Sequence, residues 1–130
     1  MTGTHVDVFV CVSCKGDADG APGPAQEFVS ALQRGLAEAG ADGIIAKGVE
    51  CLAVCKRPCT LALAAADKWT YIVGDLDPAT HTQDVVAMAL AFQRSPNGIV
   101  PWAERPTPFR KGVIARVPPL GFVQPETEIA

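Results

Sequence analysis

Five cysteines hold most of the chain's chemical potential. Cys11 and Cys14 stand as C-x-x-C in "CVSC", and Cys51, Cys55 and Cys59 recur every four residues in "CLAVCKRPCT". Four thiolates converging on one point are what a [2Fe–2S] cluster or a tetrahedral zinc ion requires. A redox dithiol and inert, buried thiols are the other readings of such residues. A redox C-x-x-C has a helix starting at its first cysteine, and the helix N-terminus lowers the thiol pKa. Here "CVSCKGDADGAPGP" keeps the chain in loop, so that aid is missing. Zinc ribbons separate their two cysteine pairs by roughly 12–20 residues. Here a whole helix and a strand fit between Cys14 and Cys51. Burial as a small hydrophobe suits a lone cysteine better than two close pairs.

Pro58 divides the second cysteine run. It disfavours helical geometry at Arg57 and donates no backbone hydrogen bond. Cys51 and Cys55 therefore share one turn, while Cys59 belongs to the entry of the following strand, as a buried or site-adjacent thiol with a reserve-ligand role open. Lys56 and Arg57 flank the second pair. Beside four thiolates their charge would favour the reduced form of a negatively charged cluster, or hold an acidic partner.

The remaining candidates are weaker. His5 and His81 are isolated and read as a surface residue and a helix-start residue. Trp69 and Tyr71 share a strand face and read as core or sheet surface. Asp75 and Asp77 suit a turn. Trp102 could anchor an interface, where tryptophan is frequent. No Ser/His/Asp set, phosphate-binding glycine loop or dinucleotide motif is present, and no catalytic residues are assigned.

The elements that must position the cysteines are legible in the hydrophobic pattern. "HVDVFVCV" alternates with period two, a strand over 5–12. "PAQEFVSALQRGLAEAG" sets Phe28, Leu32 and Leu36 on one stripe, with Pro24 near the start and Gly40 past the end, a helix. "GIIAKGVE" over 43–50 is a second short strand. "TLALAAA" and "WTYIVGDL" form a hairpin about "DK". "DPATHTQDVVAMALAFQRS" carries the stripe Val85, Met88, Ala89 and Phe92, a second helix beginning at Asp77-Pro78 or at Thr80. The order β-α-β-(cysteine turn)-β-β-α is the plan of a thioredoxin-like α/β fold. In its parallel βαβ unit, neighbouring strands deliver their C-terminal ends to one sheet edge, which brings the two cysteine pairs together.

Residues 1–98 form this domain. Residues 99–130 differ, because six of the eleven prolines fall there and prevent long regular structure. The segment reads as an extended arm lying over the domain or a partner, with "GVIARV" as a candidate short strand. Trp102, Arg105, Arg110 and Lys111 are its candidate docking residues.

At 130 residues the chain suits one domain, and 48% hydrophobic content supplies a core. A net charge of −3 gives no footprint for nucleic acid. No apolar run is long enough to span a bilayer, and the N-terminus has no basic region of the secretory type. A cytoplasmic location is expected, and an odd number of cysteines there argues against a disulfide framework.

The stretches "CVSC", "ECLAVCKRPCT", "KWTYIVGDLDP", "VPWAERP" and "FRKGVIARVPPL" resemble a bacterial family of small predicted metal-binding proteins encoded beside cobalamin-biosynthesis and cobalt-chelation genes. That family is similar in turn to thioredoxin-like [2Fe–2S] ferredoxins and to the small cluster-bearing subunit of respiratory NADH dehydrogenase. In those proteins one cysteine pair follows the first strand, and a "CLGAC"-like pair, matched here by "CLAVC", follows the second. The resemblance implies a [2Fe–2S] cluster on Cys11, Cys14, Cys51 and Cys55, one-electron transfer, a redox or metal-handling protein partner, a homodimer, and a link to cobalamin or cobalt metabolism. Two departures are that the first pair is spaced more closely than in those relatives, and that Cys59 stands where they often carry proline. The alternative is a zinc- or cobalt-binding trafficking protein without electron transfer.

Overall fold

A computed structural model of the chain describes residues 5–12, 24–50, 52, 59–77 and 80–123. The order is β1 (Val6–Cys11), α1 (Pro24–Glu38), β2 (Ile44–Val49), β3 (Leu61–Ala64), β4 (Thr70–Val73) and α2 (Thr82–Arg94). A 3₁₀ turn (Trp102–Glu104), a one-turn helix α3 (Pro108–Lys111) and strand β5 (Val113–Val117) complete it.

The five strands form one sheet in the order β2-β1-β3-β4-β5. β1 runs parallel to β2, as the α1 crossover between them demands. The other pairings are antiparallel. Val6, Val8 and Val10 of β1 alternate inward with Leu61, Leu63, Tyr71 and Val73, all at most 1% exposed. Phe28, Leu32 and Leu36 of α1 and Val85, Met88, Ala89 and Phe92 of α2 bury their stripes against that face. The result is a mixed α/β domain, a sheet with its two long helices packed on each other and on one face.

α2 begins at Thr82, later than its sequence signals place it. The turn before it closes differently: His81 N–H donates to Asp77 O at 2.8 Å, and Asp77 N–H donates to His81 Nδ1 at 2.9 Å. At its other end Lys68, 5% exposed, donates from Nζ to the carbonyls of Phe92 (2.8 Å) and Gln93 (2.6 Å). A buried cation thus closes the carbonyl end of the helix, where the dipole favours positive charge. The chain then turns through Gly98 at φ +84°, where a Cβ would meet Lys68 Cβ at 2.8 Å. Glycine is required there on both counts.

The proline-rich segment is bonded into the domain. β5 pairs with β4, with a bulge opposite Ile72 and Val73, so residues 113–117 are the fifth strand of the sheet. Among the described residues the segment's prolines fall between the short elements or, as Pro108, at the first position of α3, and none lies inside β5, which leaves its ladder donors intact.

Candidate metal centre

Cys11 is the last residue of β1 and is 1% exposed. Its N–H donates to Thr60 O at 3.0 Å, and the next N–H, of Val12, donates to Val49 O at 2.9 Å. The end of β1 is therefore pinned between the end of β2 and the entry to β3. In the parallel register Cys11 faces Val49, two residues before Cys51. The fold thus sets Cys11, at the end of β1, beside the end of β2. Cys14, Cys51, Cys55, Lys56 and Arg57 lie outside the described residues. Among the described residues no group of three metal-ligating side chains occurs.

Cys59 sits at the same edge. Its N–H donates to Leu76 O and its carbonyl accepts from Leu76 N–H, both at 3.1 Å. It is 5% exposed. The alternation of β3 puts it in phase with Leu61 and Leu63, whereas Cys11 is in phase with Phe9. Burial pushes the Cys59 thiol up from its ordinary pKa, and the negative charges of Asp77 and ionised Cys11 push it further. A thiol held protonated is a poor nucleophile and yields a thiolate only at a cost.

No helix starts at Cys11, since β1 ends there and α1 begins at Pro24. Among the described residues no helix N-terminus of the kind that activates a redox C-x-x-C begins at this thiol.

The basic segment is organised by arginines. Arg105 donates from Nε to Val100 O (2.8 Å) and from its terminal nitrogens to Tyr71 Oη (3.4 Å) and, more distantly, Phe109 O (3.5 Å). Its guanidinium lies 5.3 Å from the Tyr71 ring centre and 5.7 Å from that of Trp102. Tyr71 Oη, fully buried, also accepts Val100 N–H at 3.0 Å. Arg110 donates to the carbonyls of Trp102 and Ala103, both at 3.1 Å. Trp102 remains 59% exposed. Lys111 lines a cavity of about 310 Å³ with Asp75, His81, Asp84 and Thr107, floored by Gly74 and Gly112. The sequence pattern identifies these side chains as basic and aromatic, but a guanidinium's match to backbone carbonyls depends on the folded path of the chain.

Tyr71 and Lys68 have structural importance that no motif signals. His81 forms the turn before α2 and His5 bonds Asp7 at the surface. Among the described residues no helix is long and apolar enough to cross a membrane.

The chain belongs to the family described as "protein of unknown function (DUF1636)", whose profile matches residues 8–119. No curated protein matches the sequence. Among solved structures the chain is similar to a thioredoxin-like [2Fe–2S] ferredoxin from Aquifex aeolicus. The TM-score is 0.57 at 15% sequence identity, with 92% of this chain and 99% of the ferredoxin covered. The fold is thioredoxin-like.

Proposed function

We propose that this member of the DUF1636 family holds a [2Fe–2S] cluster on Cys11, Cys14, Cys51 and Cys55, and works as a one-electron carrier or a cluster-bearing accessory protein. The observation that carries this reading is the register of Cys11 with Val49, two residues before Cys51, in a fold shared with a [2Fe–2S] ferredoxin over nearly its whole length. Cys11 fits such a group. It is a buried soft donor whose backbone is fixed by its own N–H bond to Thr60 O and by the next residue's bond to Val49 O.

A bound cluster supplies one-electron redox chemistry. The protein's part is to hold the thiolates and set their surroundings. Lys56 and Arg57 offset negative charge beside the second pair. Cys59, kept protonated, adds none. Trp102 and Lys111 are the side chains of the basic segment open to an acidic redox or metal-handling partner, with Arg105 and Arg110 fixing the backbone that presents them. A reducing cytoplasm keeps all five thiols available. The family's resemblance to cobalamin-associated metal-binding proteins directs the search for the partner to cobalt and corrin chemistry.

The deciding experiment is purification without oxygen, with iron, sulfide and zinc analysis. A coloured protein with two irons per chain, whose visible bands bleach with dithionite, is expected. A colourless protein with one zinc per chain would falsify the cluster and leave the trafficking reading in its place.

A further inference from the structure

The cavity of about 310 Å³ beside α3 lies at the carboxyl end of β4. β4 runs in the direction of β1, because each is antiparallel to β3. The carboxyl ends of strands are where open α/β sheets take their ligands. Two helix faces wall the cavity. His81, just before α2, and Asp84 in its first turn stand three residues apart, and Thr107 and Lys111 stand four apart along α3, so each pair shares one face. The floor is backbone. Gly74 N–H donates to Gly112 O at 2.9 Å, and a Cβ on Gly112 would meet Pro108 O at 2.6 Å and Gly74 O at 2.8 Å. Only glycine lets α3 close against β4 and set the two walls around one space.

The walls carry opposite charges that the protein does not neutralise. Among the described residues neither Asp84 nor Lys111 forms an ion pair. Asp75, also on the lining, has a contact of its own. The Thr107 hydroxyl makes no capping bond to α3. His81 Nδ1 accepts Asp77 N–H, which leaves the ring proton on Nε2 as a donor. Asp75, His81 and Asp84 do not gather as a metal-ligating group. What remains is one carboxylate, one ammonium and two neutral donors around a space at the small end of the range for small-molecule sites.

We propose that this cavity binds a small zwitterion, an α-amino acid with an uncharged side chain. Its ammonium group pairs with Asp84 and its carboxylate with Lys111, with the Thr107 hydroxyl and the His81 ring N–H as further donors to the carboxylate. A ligand of one charge satisfies one wall and is opposed by the other. Pro108 and the two glycines supply most of the remaining lining, so a charged side chain would find no further partner. Thr107 and Lys111 are exposed and Asp84 is half-buried. The ion pairs therefore form at a wet rim, and the dissociation constant is of order millimolar. The site does not depend on a bound cluster. Its ligand competes for Lys111 with the acidic partner proposed above.

NMR titration of the full chain with glycine, L-alanine and L-leucine, each to about 50 mM, tests this. At least one of the three shifts the amides of Gly74, Asp84, Thr107 and Gly112 with a saturable, millimolar curve. Its analogue lacking the amine and its analogue lacking the carboxylate (acetate and methylamine for glycine) each bind about fivefold more weakly. Asp84→Asn weakens the amino acid about fivefold without weakening the amine-free acid, and Lys111→Met does so without weakening the carboxylate-free amine. Neither variant has an internal ion pair to lose, so circular dichroism stays that of wild type. The proposal is overturned if none of the three amino acids gives a saturable shift. It is equally overturned if a singly charged analogue binds as tightly as the amino acid, or if either variant leaves the titration unchanged. The titration reads ligand contact, so its failure says nothing about whether the protein is coloured.

Discussion

The cysteine edge and the C-terminal segment are built on opposite plans. At the cysteine edge the backbone comes first: Cys11 N–H bonds Thr60 O at the entry to β3, the next N–H bonds Val49 O of β2, and Cys59 exchanges both backbone bonds with Leu76 beyond β4, so the thiols are passengers of the backbone. In the C-terminal segment the side chains come first. Two arginines gather carbonyls from Val100, Trp102, Ala103 and Phe109, and a short, proline-interrupted path takes its shape around them. Chemistry placed by strands survives single side-chain changes in geometry while losing function. Structure placed by a guanidinium does the reverse. Each prediction below tests that division.

The largest effect belongs to the thiols. Cys11→Ser removes the visible bands of anaerobically purified protein, while the thermal midpoint moves little, since the strand bonds of residue 11 are backbone bonds. Cys59→Ser keeps the colour, because Cys59 lies outside the proposed ligand set. Colour lost with Cys59 and kept without Cys11 would reverse the assignment of the two thiols.

Arg105→Met is the counterpart. It strips the donors from Val100 O, Tyr71 Oη and Phe109 O and the stacking over two rings, and destabilises the fold by about 3 kcal/mol, or about 10 °C in midpoint. The spectrum of the loaded protein keeps its shape. Arg105→Lys does not restore the loss, because an ammonium lacks the planar fork that reaches several acceptors at once. A variant as stable as wild type in urea would show that the β4–β5 ladder alone holds the segment.

These contrasts explain what the sequence could convey. Period-two alternation in "HVDVFVCV" and the helical stripe Phe28–Leu32–Leu36 are local signals of burial. They locate β1 and α1 to within a residue or two. The parallel βαβ unit, which admits few alternatives, puts Cys11 beside the end of β2 as the strand pattern implies. The C-terminal segment declares much less. Its prolines correctly exclude long elements, yet the strand "GVIARV" is only a candidate until β4 offers it an edge. Arg105 reads as a docking cation because nothing local reveals that Val100 O and Tyr71 Oη will stand within its reach. The start of α2 is missed for a similar reason, as His81 closes a turn that Asp77-Pro78 or Thr80 would otherwise open. Lys68, next to the midpoint of the β3–β4 turn, looks like a turn lysine until the end of α2 arrives over it.

Lys68 lies between the two plans, as a side chain from the strand framework that terminates a helix. Lys68→Met leaves the carbonyls of Phe92 and Gln93 without their charged donor and costs about 2 kcal/mol. Burial lowers the Lys68 pKa, so the folded chain binds fewer protons than the unfolded one between the folded value and the ordinary value near 10.4. Stability contributed by this group therefore rises with pH through that alkaline window. Chemical denaturation at a series of alkaline pH values shows the rise in wild type and its absence in Lys68→Met. A flat difference between the two proteins would mean that burial does not disfavour the charged amine.

Arg110→Ala gives the smallest effect and separates the two arginines. Both donate to carbonyls of the same segment, but Arg105 reaches a buried hydroxyl and the backbone of buried Val100, whereas both of Arg110's bonds lie at the surface. Water can replace Arg110 on the carbonyls of Trp102 and Ala103, so the cost is about 0.5–1 kcal/mol. The change should appear as faster amide exchange confined to residues 102–105, with β4 and β5 still protected. Arg105→Met, by contrast, speeds exchange at Val100 and along the β4–β5 ladder. If Arg110→Ala loosened that ladder too, the two guanidiniums would form one cooperative unit, and the order of importance drawn from burial would not hold.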